Sequence, residues 1–408
     1  MRLITICLFA AVTFESTAQA HLTIEQAVEQ ARKNNLSIAA ASSDVEAQRQ
    51  MKKTGFDLPK TMAMLMYGQY NSFKNDNNLT ITQTVPFTAL GSRAALNRSM
   101  LLSSELKKAT TENELVFHVK QVFTLLAYTS ARRQLLLQQD SIYEGFAMAA
   151  SARYKAGEGK LLEQVNAETQ RNETKNQLMI VDSDINVLQT QLKTLLNART
   201  LPTIGDNSFT EFNLQGLPDS TMLSLNPALA FQRQQVELAS HQKKFEKALM
   251  APDLVLGYFN QTLVDAINTE NGTLASSTDR FAGLQVGLSI PLWFVPYQGR
   301  VRSAEFKRQA AEQSYRYEHA RAVGQFEEAS QRYIKSRNSL QYYKTSALPN
   351  ADLILKQAQA AFKGGDIGYT EYLLSVQNAL AVKESYLLTL NEYNQSVIYI
   401  EFLTGNRK

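Results

Sequence analysis

Two stretches of the chain alternate apolar and polar side chains, as expected of β-strands with one apolar face. In the first stretch Leu79, Ile81 and Val85 share one face, and threonines stand between them. In the second, the apolar positions alternate with glutamine, glycine and serine, and they are Leu284, Val286, Leu288 and Ile290. Each stretch follows another extended segment across a loop rich in polar residues. The pattern therefore predicts two β-hairpins, over residues 60–87 and 253–292.

Segments almost free of proline follow both hairpins and favour very long helices. No proline lies between Gly91 and Gly157, and Pro349 is the only one between Gly299 and Gly365. About 60 residues of helix would extend roughly 90 Å at ~1.5 Å per residue. Shorter helices are predicted at about residues 23–33, 37–54, 160–196, 227–249 and 368–404.

Equivalent residues recur at a spacing of 208 positions, which indicates an internal duplication. The matched pairs are Gly91 with Gly299, Gly157 with Gly365, and Asn197 with Gly405. A constant spacing over more than 100 residues is strong evidence of a duplication, even though each matched pair alone is weak evidence. Two repeats are expected, about 21–197 and 226–405, joined by a linker at 198–225.

The first twenty residues have the pattern of a cleavable signal peptide. Arg2 precedes an apolar run, and Ala18-Gln19-Ala20 fits a cleavage site before His21. The alternative is a buried N-terminal helix. Cys7 lies too early to become a lipidated first residue, so lipidation is not expected. Residues 21–408 are then the mature unit, without a thiol and hence without disulfides or thiolate chemistry.

The composition excludes several classes of protein. Apolar residues make up 44% of the chain and charged residues 20%, so the chain is not disordered. A net charge of +4 spread along the chain does not indicate a basic surface that would bind nucleic acid. No run of 18 apolar residues follows the signal segment, so no membrane-spanning helix is expected.

The strand pattern instead suits an outer-membrane β-barrel, whose strands are about 9–11 residues long. Aromatic residues near the strand ends are candidates for the membrane interface, namely Tyr67, Phe87, Tyr258, Trp293 and Phe294. Four strands cannot close a barrel, because about eight are the minimum, so the chain has to oligomerise. Three copies would supply twelve strands. The alternative is a periplasmic coiled-coil structural protein that carries two hairpins.

With its two hairpins, each followed by an antiparallel helix pair, the chain resembles the TolC family of outer-membrane efflux channels over essentially residues 21–408. The turn sequences Tyr154…Gly157 and Phe362…Gly365 contribute to the resemblance. It implies a mixed α/β membrane protein: a homotrimer with a twelve-stranded β-barrel, continued by a long antiparallel α-helical barrel in the periplasm. The implied partners are a periplasmic adaptor (membrane fusion) protein, an inner-membrane pump of the resistance-nodulation-division type and outer-membrane lipid.

The resemblance also suggests a cargo. Residues 365–373 look most like members that serve heavy-metal-cation pumps. The channel would then pass metal cations to the exterior. The alternative within the family is a channel for drugs or other small molecules.

Loops and turns have opposite expected locations. The loops at 71–78 and 263–280 each separate two strands, while the long helices attach at the other strand ends. Both loops, with Asn271 in the second, are therefore expected outside the cell. The helix-to-helix turns at Gly157 and Gly365 are expected farthest from the membrane.

Six residues past each turn glycine stands a carboxylate, Glu163 or Glu371. The resemblance implies that these side chains ring the tunnel entrance of the trimer and attract cations. The alternative is an ordinary favourable contact between a first-turn acid and the helix dipole. Candidates for closing the entrance lie before the glycines, and they are Arg153, Tyr154, Phe362 and Lys363. The family can carry a second acid three residues on, where this chain has Asn166 and Leu374.

The sequence shows no pattern for catalysis or for a bound metal or cofactor. The histidines at positions 21, 118, 241 and 319 lack metal-ligand spacing. Residues 157–161 lack the first glycine and the final Ser/Thr of a phosphate-binding loop. The remaining hypothesis is a secreted hydrolase. The sequence contains neither a nucleophile elbow nor a catalytic cluster that would support it. The sequence therefore predicts a protein that is not an enzyme.

Overall fold

The structure is a computed structural model that describes residues 22–205, 208–214, 216–267 and 272–405. The predicted signal peptide, His21 and Asn271 lie outside these residues. The chain divides into two compact units. The sheet unit is formed by the described residues of Leu36–Glu114, Gly216–Ser330 and Ile400–Lys408. The turn unit is formed by the described residues of Met1–Asn35, Leu115–Gln215 and Gln331–Tyr399.

The described chain is mostly helical. Its α-helices are α1 (Ile24–Asn34), α2 (Leu36–Lys52), α3 (Phe87–Lys155), α4 (Leu161–Leu196), α5 (Pro227–Ala248), α6 (Phe294–Tyr342), α7 (Leu348–Gly364) and α8 (Tyr369–Leu403). Single 3₁₀ turns lie at Lys53–Phe56 and Ser220–Leu225. Within the part of the chain that the structure describes, no helix is long and apolar enough to cross a membrane.

The sheet unit contains one antiparallel sheet of four strands. They are β1 (Met62–Gly68), β2 (Asp76–Val85), β3 (Asp253–Gln261) and β4 (Phe281–Ser289), in the spatial order β1-β2-β3-β4. The prediction of two hairpins is confirmed. The first strand, Met62–Gly68, is the shortest of the four.

The strand register divides the sheet into an apolar and a polar face. One row of paired residues runs Ala63, Ile81, Tyr258, Leu284, and the next row runs Met62, Thr82, Gly257, Gln285. Apolar side chains of the first face stay open to solvent, with 83% of Leu284 and 77% of Val286 exposed. β1 and β4 are the outer strands, and each has one unpaired edge.

A buried carboxylate joins the two hairpins at their loop end. Asp76 is fully buried at the start of β2. It accepts hydrogen bonds from Ser72 Oγ (3.0 Å), Thr262 Oγ1 (3.1 Å) and the Val264 backbone N–H (2.9 Å). Three donors compensate for the loss of water around the charge. The contact holds the start of β2 to the segment that follows β3.

The long helical segment that follows the second hairpin contains one irregular turn. α6 ends at Tyr342, and a π turn at Tyr343–Ala347 precedes α7. Pro349 is the second residue of α7. Because proline has no N–H and its ring crowds the carbonyl four residues earlier, the regular ladder cannot pass this position. The prediction of a very long helix between Gly299 and Gly365 is confirmed, with one π turn inside it that was not predicted.

The same capping contact occurs in both units. In the turn unit, Asn35 Nδ2 donates to the Leu195 carbonyl near the end of α4 at 2.8 Å. In the sheet unit, Asn226 Nδ2 donates to the Leu403 carbonyl at the end of α8 at 2.9 Å. The two carbonyls are 208 positions apart. Carbonyls in the last turn of a helix lack partners within the helix, so an asparagine supplies one in each case.

Candidate functional site

The candidate site consists of two helix-to-helix turns in the turn unit. The first connects α3 to α4, and the second connects α7 to α8. Gly157 and Gly365 both have φ +80°, in the left-handed region. A side chain would be strained there, so glycine allows each helix to end sharply and the chain to reverse.

Equivalent hydrogen bonds close both turns. The Glu158 N–H donates to the Arg153 carbonyl, and the Asp366 N–H donates to the Ala361 carbonyl, both at 2.9 Å. This bond from the residue after the glycine is typical of a Schellman helix end. In the first turn Gly159 also donates to the Arg153 carbonyl, at 3.1 Å. The spacing of 208 thus extends to the backbone geometry of the two turns.

Five aromatic side chains pack against one another beside the second turn, and we call them the turn aromatic cluster: Tyr143, Phe146, Phe362, Tyr369 and Tyr372. Phe146 lies 4.6 Å from Tyr372 and 5.7 Å from Tyr369 between ring centroids. Phe362 stacks on Tyr372 at 4.5 Å, with 21° between the ring planes. Phe146 is 4% exposed, so the cluster forms a core that joins α3 to α7 and α8.

This packing changes the interpretation of Phe362. The sequence analysis placed it among the candidates for closing the tunnel entrance. The structure places its ring within the turn aromatic cluster of its own chain, in contact with Phe146 and Tyr372. The other three candidates, Arg153, Tyr154 and Lys363, are exposed. These three remain available to neighbouring molecules.

Glu163 is the third residue of α4 and lies close to Tyr369 at the start of α8. Its carboxylate is half-buried, and a favourable interaction with the amino end of α4 is available to it. Burial, and secondarily the negative charge of Glu163, raises the pKa of Tyr369. The Tyr369 hydroxyl is buried and has no hydrogen-bond partner among the described residues.

Glu371 is the third residue of α8 and is exposed. Among the described residues its carboxylate has no ion-pair partner. The two predicted carboxylates are therefore not equivalent: Glu163 is partly enclosed by its own chain, while Glu371 is open to water. An exposed carboxylate at this position keeps its charge available for ions in the solvent.

Exposed apolar side chains lie close in sequence to the two carboxylates, and the sequence analysis did not single out two of them, Leu161 and Leu162. Leu161 and Leu162 at the start of α4 are 55% and 68% exposed, and Leu374 in α8 is 57% exposed. The signal in the sequence would have been two adjacent leucines in a first helical turn, where polar residues are usual. Apolar side chains without a core beneath them indicate a surface that contacts another molecule.

Four of the five candidate interface aromatics lie near the ends of strands or at the start of the helices that follow them. Tyr67 is the penultimate residue of β1, and Trp293 follows β4. Phe87 and Phe294 are the first residues of α3 and α6. Tyr258 instead lies inside β3, opposite Leu284. All five are exposed, and Trp293 is 81% exposed.

In the described ranges, no group of three His, Cys, Asp or Glu side chains is arranged to hold a metal ion.

This architecture is shared with known proteins. Residues 220–406 match the family model of outer membrane efflux proteins. A comparison with curated protein sequences gives no significant match.

Solved structures match the chain over nearly its whole length. The CusC transmembrane channel matches with a TM-score of 0.75 at 14% identity, over 94% of this chain and 92% of its own. VceC, an outer membrane protein from Vibrio cholerae, matches with a TM-score of 0.74 at 14% identity, over 94% and 96%. The Campylobacter jejuni CmeC outer membrane channel matches with a TM-score of 0.74 at 15% identity, over 99% and 94%.

The TM-scores of 0.74–0.75 over nearly the whole chain establish the fold. The chain has the fold of TolC-like outer-membrane channels, with a four-stranded sheet and long paired helices in each chain. CusC and CmeC are both described as channels.

Proposed function

We propose that the chain is the outer-membrane channel of a tripartite efflux system. It passes substrates from an inner-membrane resistance-nodulation-division pump and a periplasmic adaptor to the exterior. The observation that carries this proposal is the four-stranded sheet, which has one exposed apolar face and two unpaired edges. An apolar face of this size is stable in lipid, but unpaired edges are not, because each free backbone group costs several kcal/mol there. The match of residues 220–406 to the efflux-protein family supports the same function.

The unpaired edges lead to a homotrimer. β4 of one copy would pair with β1 of the next, and three copies would close a barrel of twelve strands. The helices would continue this barrel into the periplasm as a tunnel. Residues 1–20 would direct export, and the mature chain would lie in the bacterial outer membrane without a lipid anchor.

The turns are proposed as the periplasmic entrance of the tunnel. Three copies of Glu371 would converge there, with Glu163 set farther back against Tyr369. A ring of like charges attracts cations and does not need to bind them tightly, since a conduit has to release its cargo. We therefore propose metal cations as the cargo, in agreement with the resemblance of residues 365–373 to channels of heavy-metal systems.

The assembly is tested on purified full-length protein in detergent. We expect a mass of three chains, a band that shifts to the monomer position only after heating, and ion-conducting pores in planar bilayers. A stable monomer without pores would contradict the proposal. Recovery of the protein in the soluble periplasmic fraction would favour the alternative of a coiled-coil structural protein.

The charge ring is tested by neutral substitutions. We expect Glu371→Gln to lower the cation selectivity of reconstituted pores without changing the thermal stability of the trimer, because its carboxylate is exposed and unpaired. The combined Glu371→Gln and Glu163→Gln variant should lower the selectivity further. Glu173→Gln removes an exposed charge from α4 away from the turn and serves as the matched control. An unchanged reversal potential in a salt gradient for the combined variant would remove the ring from the proposed function.

The orientation in the membrane is tested by epitope tags. Phe73, in the β1–β2 loop, is 98% exposed. A tag inserted after Phe73 should bind antibody on intact cells. A tag inserted after Gly157 should bind antibody only once the outer membrane is permeabilised. Equal access to both tags on intact cells would contradict the proposed orientation.

A further inference from the structure

Strand β1 carries three methionines on the polar face of the sheet. Met62, Met64 and Met66 alternate with residues of the apolar face. The register pairs them with Thr82, Thr80 and Asn78 of β2, in that order. Because directly paired residues of neighbouring strands share a face, the three thioethers lie beside hydroxyl and amide groups. We call Met62, Met64 and Met66 the thioether stripe.

Burial within the chain does not explain the thioether stripe. Met62, Met64 and Met66 are 55%, 47% and 42% exposed. Methionine usually fills irregular gaps in a core, and exposed strand positions favour β-branched residues such as threonine. The apolar side chains that suit lipid lie on the opposite face of this sheet, in the row that contains Ile81 and Leu284. Three exposed methionines on the polar face therefore call for an explanation by the chemistry of their sulfur atoms.

The spacing of the stripe allows adjacent sulfur atoms to meet at one ion. Residues two apart in a strand are separated by about 6.6 Å, and the unbranched methionine side chain has three rotatable bonds. Thioethers are soft, uncharged ligands of the kind that select Cu(I) over hard cations. Ag(I) is a soft monovalent cation of the same class. Neither thiolate nor imidazole stands opposite the stripe, since its partners on β2 are Thr82, Thr80 and Asn78.

We propose that the thioether stripe is a binding site for a soft monovalent cation, Cu(I) or Ag(I), on the face of the sheet that lines the channel. The position in the lumen rests on the proposed function, whereas the binding chemistry rests on the stripe alone. Uncharged ligands on an exposed strand hold such an ion loosely, which suits a conduit. In a trimer, the three stripes would face the same lumen.

The site is tested by Ag⁺ binding to the full-length protein in detergent, measured by equilibrium dialysis in nitrate buffer. The stripe variant is Met62→Leu, Met64→Leu and Met66→Leu combined, because leucine keeps the volume and removes the sulfur. The control variant is Met148→Leu, Met179→Leu and Met222→Leu combined. These three methionines are also exposed, at 62%, 64% and 46%, but they are isolated from one another in sequence. Both variants thus lose three exposed thioethers.

We expect the wild type and the control variant to bind about one Ag⁺ per chain more than the stripe variant, because only the stripe offers adjacent soft ligands. Equal binding by the wild type and the stripe variant would overturn the proposal. Equal losses in the two variants would also overturn it, since any exposed thioether would then suffice.

A second readout places the site in the lumen. In bilayers bathed in potassium nitrate, micromolar Ag⁺ should shift the reversal potential of wild-type pores towards anion selectivity, because a bound cation repels other cations. The stripe variant should form pores that do not respond. Pores of both proteins that respond equally would overturn the site. Absence of pores from the wild type would instead refute the proposed channel, and the binding measurement would still decide the stripe.

Discussion

Leu284→Arg is expected to prevent assembly of the protein in the outer membrane. Leu284 is 83% exposed on the apolar face of β4 and pairs with Tyr258 of the same face. An arginine facing lipid near the middle of the bilayer costs ~2–4 kcal/mol per chain, and a trimer carries three copies. The heat-modifiable trimer should disappear from outer-membrane extracts analysed by gel electrophoresis. Val286→Arg, on the same face, should have the same effect.

Gln285→Arg is the matched control for this prediction. Gln285 is the next residue of the same strand, and its partner Gly257 lies in the row that also contains Thr82. An arginine here faces the polar lumen and stays hydrated, so the trimer should form normally. Equal effects of Leu284→Arg and Gln285→Arg would show that the apolar face does not contact lipid.

Phe146→Ala is expected to destabilise the turn unit by ~3–5 kcal/mol, the usual cost of removing a buried phenylalanine side chain. Phe146 is 4% exposed and contacts Tyr143, Phe362, Tyr369 and Tyr372. Its loss leaves a cavity between α3 and the second turn. Trypsin should then cleave the loosened variant much faster than the wild type in this unit, and thermal unfolding should begin at a lower temperature.

Phe73→Ala is the control for the loss of a phenylalanine. Phe73 is 98% exposed in the β1–β2 loop, so its removal leaves no cavity. The rate of tryptic cleavage in the turn unit should equal that of the wild type. If Phe146→Ala were also as resistant as the wild type, the turn aromatic cluster would not be what holds the second turn in place.

The two turns share their backbone geometry but not their side chains. Gly157 and Gly365 have the same φ, and the same hydrogen bond closes each turn. At a spacing of 208, however, the first turn has an exposed Tyr154 where the second has the packed Phe362. It also has an exposed Leu161 where the second has the buried Tyr369. The second turn is thus fixed within its own chain, and the first leaves these two side chains exposed.

Local structure could be predicted from the sequence because it depends on residues close together in the chain. Alternation at a period of two predicts strands, and the glycines at positions 157 and 365 predict helix-to-helix turns. Thr23 forms the expected N-cap of α1, with Gln26 completing a capping box. The π turn was not predicted, because the one proline of that segment stands among strong helix formers that favour a continuous helix.

Contacts between distant segments were decided only by the tertiary structure. The burial of Asp76 depends on Thr262 and Val264, almost 190 positions away in the chain. The packing of Phe362 depends on Phe146. From the sequence alone, either phenylalanine could equally lie at an exposed interface. Neither contact leaves a periodic signal in the sequence.

The thioether stripe illustrates the same limit. Alternation along β1 shows that Met62, Met64 and Met66 share one face of the strand, but methionine and its neighbours Ala63 and Leu65 are all apolar. The sequence by itself therefore does not say which of the two faces meets lipid. The pairing of Met64 with Thr80 decides it, because a shift of one residue in register would move all three methionines to the other face of the sheet.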